Sequence, residues 1–216
     1  ASFSLAELHL ELAVGPLFRR EIEVVSAVLS SDPDRCLSAG RELGLDEDRI
    51  HSDVSRMCAT EAAREDGAEV AAIMTPNDSH LPFAKAALEN GLDVICDKPM
   101  TVTSAEGEEL VALAEKEGLI LAVTYNYTGY PMVRQARAMV ADGLLGAIQL
   151  VQVEYVQGGK AAERDPDRAE TDTVPWRYDP VRGGPSLVMG DIGTHAANLA
   201  EWNGSFWSCP GVGGQC

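Results

Sequence analysis

From residue 22 to residue 124, short apolar runs alternate with stretches of helical spacing, and this alternation restricts the fold more than any other feature of the chain. Ile22 to Leu29 is a β-branched run closed by the turn cluster Ser30-Ser31-Asp32-Pro33. Helices are expected over Pro33–Leu43, stopped by Gly44, and over Asp53–Arg64. Glu69-Val-Ala-Ala-Ile-Met74 is the second apolar run, cut off by Thr75-Pro76-Asn77. A helix from about Leu81 to Glu89 should end at Asn90-Gly91, and Leu92-Asp-Val-Ile-Cys96 reads as the third strand. Thr103 and Glu106 have capping-box spacing, which opens a helix to Glu117-Gly118 and leaves Leu119 to Thr124 as a fourth strand. Strands alternating with helices of this length form βαβ units on a parallel sheet. Strands of such sheets are buried on both faces and read as continuously apolar, as these runs do.

After Tyr125 the pattern changes, and a domain boundary is expected there. Pro131–Asp142 has helical spacing, Gly143 and Gly146 bracket its end, and Ala147–Val156 reads as a longer strand. Residues 157–187 are rich in Gly, Pro and charge and read as a loop. A dinucleotide-binding fold normally starts with a strand entering G-x-G-x-x-G. Here the only early glycine is Gly15, and the chain starts at Ala1 rather than Met. Residues 204–216 hold four glycines among thirteen residues without apolar periodicity. The expected organisation is therefore an α/β protein. Residues 1–125 form a parallel-sheet domain lacking its first strand and glycine loop. Residues 126–203 begin a second α/β domain with an open sheet, and 204–216 form an irregular tail.

Charge narrows the function. Seventeen basic and 34 acidic side chains give a formal net charge of −17 over 216 residues. Such a surface repels phosphate backbones and anionic lipid, which argues against nucleic-acid and membrane partners. No stretch approaches the roughly 20 apolar residues of a membrane span. The five cysteines, Cys36, Cys58, Cys96, Cys209 and Cys216, are odd in number and never spaced as CxxC. They read as reduced thiols of a cytoplasmic protein, with no metal site.

Open α/β sheets bind ligands outside the carboxyl ends of their strands. Three such ends carry polar residues: Ser30-Ser31, Thr75-Pro76-Asn77 and Asp97-Lys98-Pro99. Partial burial at a strand end disfavours the charged ammonium, so Lys98 reads either as a tuned acid–base group or as a surface turn lysine. Asp191 and His195, four residues apart, would share one face of a helix. A carboxylate beside an imidazole can orient it for proton exchange near neutral pH, and a structural or zinc-binding pair is the other reading.

The ordered set V-A-A-I-M-T-P-N-D-S-H, V-I-C-D-K-P and D-I-G-T-H-A-A-N-L resembles the Gfo/Idh/MocA oxidoreductases, over about Ile22 to Trp202. That resemblance implies an N-terminal Rossmann domain for NAD(P), followed by a C-terminal α/β domain that supplies the substrate face and, in intact relatives, homo-oligomer contacts. Lys98 matches the lysine of the family's E-K-P motif, with Asp97 in place of the usual Glu. Asp191 and His195 match its D-x-x-x-H pair, whose histidine usually transfers the proton. Thr75, Pro76, Asn77 and His80 match the segment lining the ribose and pyrophosphate. Asn126 falls where the family often contacts the nicotinamide end, and Trp176-Arg177 resembles a W-R pair near the substrate in some branches. Ser30 stands where an NAD-preferring enzyme places a carboxylate, and Arg35 could pair with a 2′-phosphate; this favours NADP over NAD.

The resemblance therefore implies hydride transfer between NAD(P) and a hydroxyl-bearing carbon of a carbohydrate-like small molecule. Other readings are a non-enzymatic NAD(P)-binding regulator, an NAD-dependent glycosidase, and an inactive fragment.

Overall fold

The computed structural model describes residues 23–156 and 176–203. The chain divides into two compact units after Val123. The sheet of the first unit is built from β1 (Val70–Ile73), β2 (Asp93–Cys96) and β3 (Leu121–Val123), all parallel and in that spatial order. Its helices are α1 (Pro33–Glu42), α2 (Val54–Ala62), α3 (His80–Glu89) and α4 (Ser104–Glu117). This is the parallel α/β arrangement that the alternating pattern requires.

Register sorts the strand residues into two rows, because successive side chains point to opposite faces. Ala71 pairs with Val94 and Ile73 with Cys96, and these pair onward with Leu121 and Val123. This row packs against Ala84, Ala87 and Leu88 of α3, Leu110 and Ala114 of α4, and Cys58 of α2. Burying a leucine such as Leu88 contributes about 1.5–3 kcal/mol. The other row, Val70, Ala72 and Ile95, is exposed among the described residues. Among the described residues α2, α3 and α4 join the core on the first row.

The helix ends follow from local chemistry. The Asp32 carboxylate accepts the Arg35 N–H, and Pro33, which has no N–H to satisfy, opens α1. Asp53 caps α2 in the same way through the Arg56 N–H. At α4 both halves of the capping box form: Thr103 Oγ1 accepts the Glu106 N–H, and Glu106 Oε2 accepts the Thr103 N–H. Gly118 ends α4 with φ +69°, a left-handed conformation that side chains with a Cβ rarely adopt.

Among the described residues, two expected strands are not formed. Among residues 23–29 only Ala27 bridges, in parallel, to Ile50. Its partner segment is confined between the 3₁₀ turn Glu47–Arg49 and the α2 cap Asp53, so the ladder cannot lengthen. Ala147–Val156 pairs with no described strand, and Leu150 and Val156 stay exposed. Apolar alternation makes a strand only where a neighbouring backbone completes the hydrogen bonds.

Three thiols, Cys36, Cys58 and Cys96, are free and buried on α1, α2 and β2. Burial pushes the Cys58 thiol up, and burial with the neighbouring Asp97 charge pushes Cys96 up to about 12. A buried ion pair closes the end of α2. Arg49 Nη2 donates to Glu61 Oε2 at 2.5 Å, and its Nη1 donates to Asp66 at 3.2 Å. Gly67 is required there, since a Cβ would stand 2.0 Å from the Glu61 carbonyl oxygen.

In the second unit, the 3₁₀ turn Asn126–Gly129 precedes α5 (Pro131–Ala141). A second 3₁₀ turn spans Trp176–Tyr178, and a π-helical segment, Met189–Gly193, runs into α6 (Thr194–Asn203). α6 packs against α5 and against the Asn126–Gly129 turn. The expectations for Gly15 and the glycine loop, for residues 157–175 and for the 204–216 tail fall outside the described residues.

Candidate active site

At the carboxyl edge of the sheet, β1 and β2 release two loops side by side. The pairing of Ile73 with Cys96 places Thr75–Asn77 beside Asp97–Pro99, and the Asp97 N–H donates to the Ile73 carbonyl at 2.9 Å. Thr75, Pro76, Asp97 and Lys98 are half-buried, while Asn77 is buried. The Ser79 hydroxyl, within reach of Thr75 Oγ1 at 2.7 Å and the Pro76 carbonyl at 2.6 Å, tightens the first turn. The Lys98–Pro99 peptide is cis. In the second loop, Met100 and Thr101 approach α4 at Gly107, where a Cβ would meet Met100 Cε at 3.2 Å and Thr101 Oγ1 at 3.3 Å.

His80 corrects its expected place on the cofactor-lining face. Its side chain is fully buried, with Nδ1 at 2.8 Å from the Pro99 carbonyl and Nε2 at 2.9 Å from the Thr75 carbonyl. Both ring nitrogens face the protein interior, so neither is presented to a ligand. Ser30 lies in the turn before α1, where its Oγ accepts the Asp32 N–H at 3.1 Å, and Arg35 is exposed in the first turn of α1.

The second unit holds Asp191 and His195. Asp191 lies in the π-helical segment and His195 in the first turn of α6. π-helical turns are rare and are frequent at functional sites. His195 is 6% exposed and is enclosed by three tyrosines. Its ring centroid lies 4.6 Å from Tyr127 and 5.8 Å from Tyr125, both edge-on, and 6.2 Å from Tyr155, stacked. The Tyr127 and Tyr155 hydroxyls are hydrogen-bonded, as are those of Tyr125 and Thr194, the latter at 2.5 Å. The bond to Tyr155, burial, and the nearby Tyr155, Tyr130 and Asp191 charges push the Tyr127 phenol up to about 12. Such rings hold the imidazole plane in place.

The structure thus joins Thr75, Pro76, Asn77, Asp97 and Lys98 on neighbouring loops of the first unit, and places Asp191 and His195 on one continuous helical run of the second. Asn126 opens its 3₁₀ turn and is exposed, and the Arg177 guanidinium lies 4.6 Å over the Trp176 ring. The residues that sequence reasoning missed are Tyr125, Tyr127 and Tyr155. The Y-N-Y triplet at 125–127 was the available signal, but nothing local links it to Tyr155 or Thr194. Among the described residues no group of three or more metal-binding side chains occurs, and no helix is long and apolar enough to cross a membrane.

Comparison with known proteins now bears on these loops. Residues 11–125 match the family model described as an oxidoreductase family with an NAD-binding Rossmann fold, and residues 133–204 match the Gfo/Idh/MocA C-terminal domain. The chain is 41% identical over 179 residues to an uncharacterised oxidoreductase, YfiI, of Bacillus subtilis, covering 83% of this chain and 45% of that one. It is 25% identical to an NADP(+)-dependent D-xylose 1-dehydrogenase of Haloarcula marismortui, covering 82% of this chain and 46% of the relative. Among solved structures, an inositol dehydrogenase homologue from Azotobacter vinelandii, complexed with NAD+, superposes with a TM-score of 0.78 at 38% identity, over 84% of this chain and 46% of that one. The chain spans under half the length of these relatives. With both halves of the pattern matched in order, the chain belongs to the Gfo/Idh/MocA oxidoreductase family, and its first unit is an NAD-binding Rossmann fold.

Proposed function

We propose that this protein is an oxidoreductase that binds NAD(P) at the carboxyl edge of its parallel sheet and acts on a hydroxyl-bearing carbon of a sugar or polyol. The observation that carries this reading is the pairing of the Thr75–Asn77 and Asp97–Lys98 loops on adjacent strand ends. Their donor set fits a dinucleotide: polar side chains and one ammonium at a sheet edge, in a protein that is otherwise strongly acidic. When bound, the nicotinamide supplies the hydride acceptor or donor.

The chain's own residues do the rest. His195 takes the substrate hydroxyl proton on oxidation and returns it on reduction, while Asp191 orients the imidazole. Lys98 supplies a positive charge at the cofactor-facing sheet edge, Asp97 shapes its turn, and Asn126 is the candidate contact to the nicotinamide end. Trp176 and Arg177, whose guanidinium lies 4.6 Å over the indole, are the candidate substrate-facing pair. Ser30 offers a hydroxyl in place of a carboxylate, and Arg35 can pair with a 2′-phosphate, which favours NADP. Asp32, two residues after Ser30, already accepts the Arg35 N–H as helix cap. Relatives named for D-xylose with NADP(+), and an inositol dehydrogenase homologue with NAD+, support the substrate and cofactor classes.

The test is fluorescence titration of the full chain with NADPH and NADH, with turnover measured on polyols and aldoses. Lys98→Met and His195→Asn should each lower kcat by roughly 10²–10⁴-fold, with small changes in dinucleotide affinity. Arg35→Ala should weaken NADPH about tenfold, the loss of one charge-assisted contact, and leave NADH unchanged. Full turnover in either catalytic variant would sink the assignment. Dinucleotide binding without turnover on any substrate would favour the regulatory reading.

A further inference from the structure

His80 is the first residue of α3 and follows directly on the 3₁₀ turn Asn77–Ser79 that leaves β1. A histidine after a Pro-Asn turn would ordinarily face solvent, yet this one is fully buried. Its ring spans the gap between two loops: Nε2 reaches the Thr75 carbonyl at 2.9 Å and Nδ1 reaches the Pro99 carbonyl at 2.8 Å. Carbonyl oxygens only accept, so the ring nitrogen that carries hydrogen donates to its carbonyl, and the tautomer decides which of the two contacts that is. One carbonyl belongs to the loop after β1, the other to the loop after β2.

The second contact has leverage on Lys98. Pro99 has no N–H, so its carbonyl is the hydrogen-bonding group that its backbone offers. That carbonyl lies one peptide beyond Lys98, and fixing it restricts where the lysine stem can point. Other anchors hold each loop from one side. The Asp97 N–H donates to the Ile73 carbonyl at 2.9 Å, Met100 and Thr101 rest on α4 at Gly107, and Ser79 tightens the Thr75–Pro76 turn. The imidazole reaches both loops at once.

We propose that His80 is a positioning residue, which through the Thr75 and Pro99 carbonyls sets the separation of the two dinucleotide-facing loops and thereby the place of Lys98. The claim rests on the proposed function for the role of Lys98, but the bridging of the loops is testable by itself. A displacement of about 1 Å at a reacting group can lower turnover on the order of 10²-fold. A side chain that only filled space in the core would leave turnover per folded molecule intact.

The experiment compares His80→Gln, which can keep one donated bond, with His80→Leu, which keeps none. Leu88→Ala on the same helix serves as a control that loses core packing without touching either carbonyl. Backbone amide exchange is read across Thr75–Asn77 and Lys98–Thr101, together with NADPH affinity, kcat and KM. Both His80 variants should speed exchange in both loops roughly threefold to tenfold, the opening expected for a lost hydrogen bond. Leu88→Ala should loosen the sheet without singling out the loops. Turnover should fall on the order of 10–100-fold in His80→Leu with a smaller rise in KM, and His80→Gln should regain part of it. If His80→Leu fails to fold, the same comparison is made with His80→Gln. Loop exchange no faster than in the Leu88→Ala control, or unchanged kcat in a folded His80 variant, overturns the proposal. If the unsubstituted chain neither binds NADPH nor turns over, the proposed function fails, while the exchange comparison still decides whether His80 holds the two loops together.

Discussion

Glu61 carries a carboxylate into a position where its side chain is only 1% exposed, and the Arg49 guanidinium meets it at 2.5 Å. Burial by itself would push this carboxyl up, but the bonds from Arg49, the Ala68 N–H and the Ser26 hydroxyl outweigh it and hold Glu61 below its ordinary value. The bond to Glu61 in turn raises Arg49. Because the folded value of Glu61 is lowered, the folded state binds fewer protons than the unfolded chain in the acid range. Its stabilisation is present above the ordinary glutamate range and is lost as pH falls through the lower folded value. Glu61→Gln leaves a buried guanidinium without its charge partner and should cost about 3–5 kcal/mol in urea unfolding at neutral pH. The variant should also show a flatter loss of stability in acid. None of this is visible in E-A-A-R-E at 61–65, which reads as a solvated helix end. The partner lies 12 residues away across a turn. His80 was hidden for a related reason, since the two carbonyls that its ring reaches lie 5 and 19 residues away.

Elements were more legible than side chains. The capping box at Thr103 and Glu106 is written in four consecutive positions and forms as written. Thr103→Ala should cost about 0.5–2 kcal/mol, read as a lowered urea midpoint with unchanged slope. A shift below a few tenths would mean that the Glu106 contacts to Val102 and Thr103 carry the helix start alone. β1, β2 and β3 were readable because each is a buried-row strand flanked by turn signals. Residues 23–29 and Ala147–Val156 carry similar side chains, yet among the described residues they find no partner strand beyond the Ala27–Ile50 bridge. Pairing partners are a property of the fold, and no periodicity within a segment specifies them. The Asp191–His195 spacing reads as helical, and the two residues do lie on one helical run, with Asp191 in its π-helical part. The enclosure of His195 was not legible, because Tyr155 and Tyr127 are 28 residues apart and Tyr125 and Thr194 are 69 apart.

For the molecule as a whole, a formal charge of −17 sets the field that any anionic ligand must cross. Raising ionic strength from about 0.01 M to about 0.1 M shortens the Debye length from roughly 30 Å to roughly 10 Å. The association rate constant for NADPH, measured by stopped flow, should therefore rise with salt, because distant like charge is screened first. A fall would mean that local cations such as Lys98 and Arg35 govern the approach. Cys36, Cys58 and Cys96 occupy three different elements of the first unit, and all three are buried. Alkylation needs the exposed thiolate, which a shut core withholds twice over, by blocking access and, at Cys58 and Cys96, by disfavouring ionisation. Each thiol is therefore a silent clock on its own element, starting only when that element parts from the core. Counted by mass after timed exposure to iodoacetamide, labels arriving together at all three would mark opening as one event, and labels arriving in sequence would give the order in which α1, α2 and β2 let go.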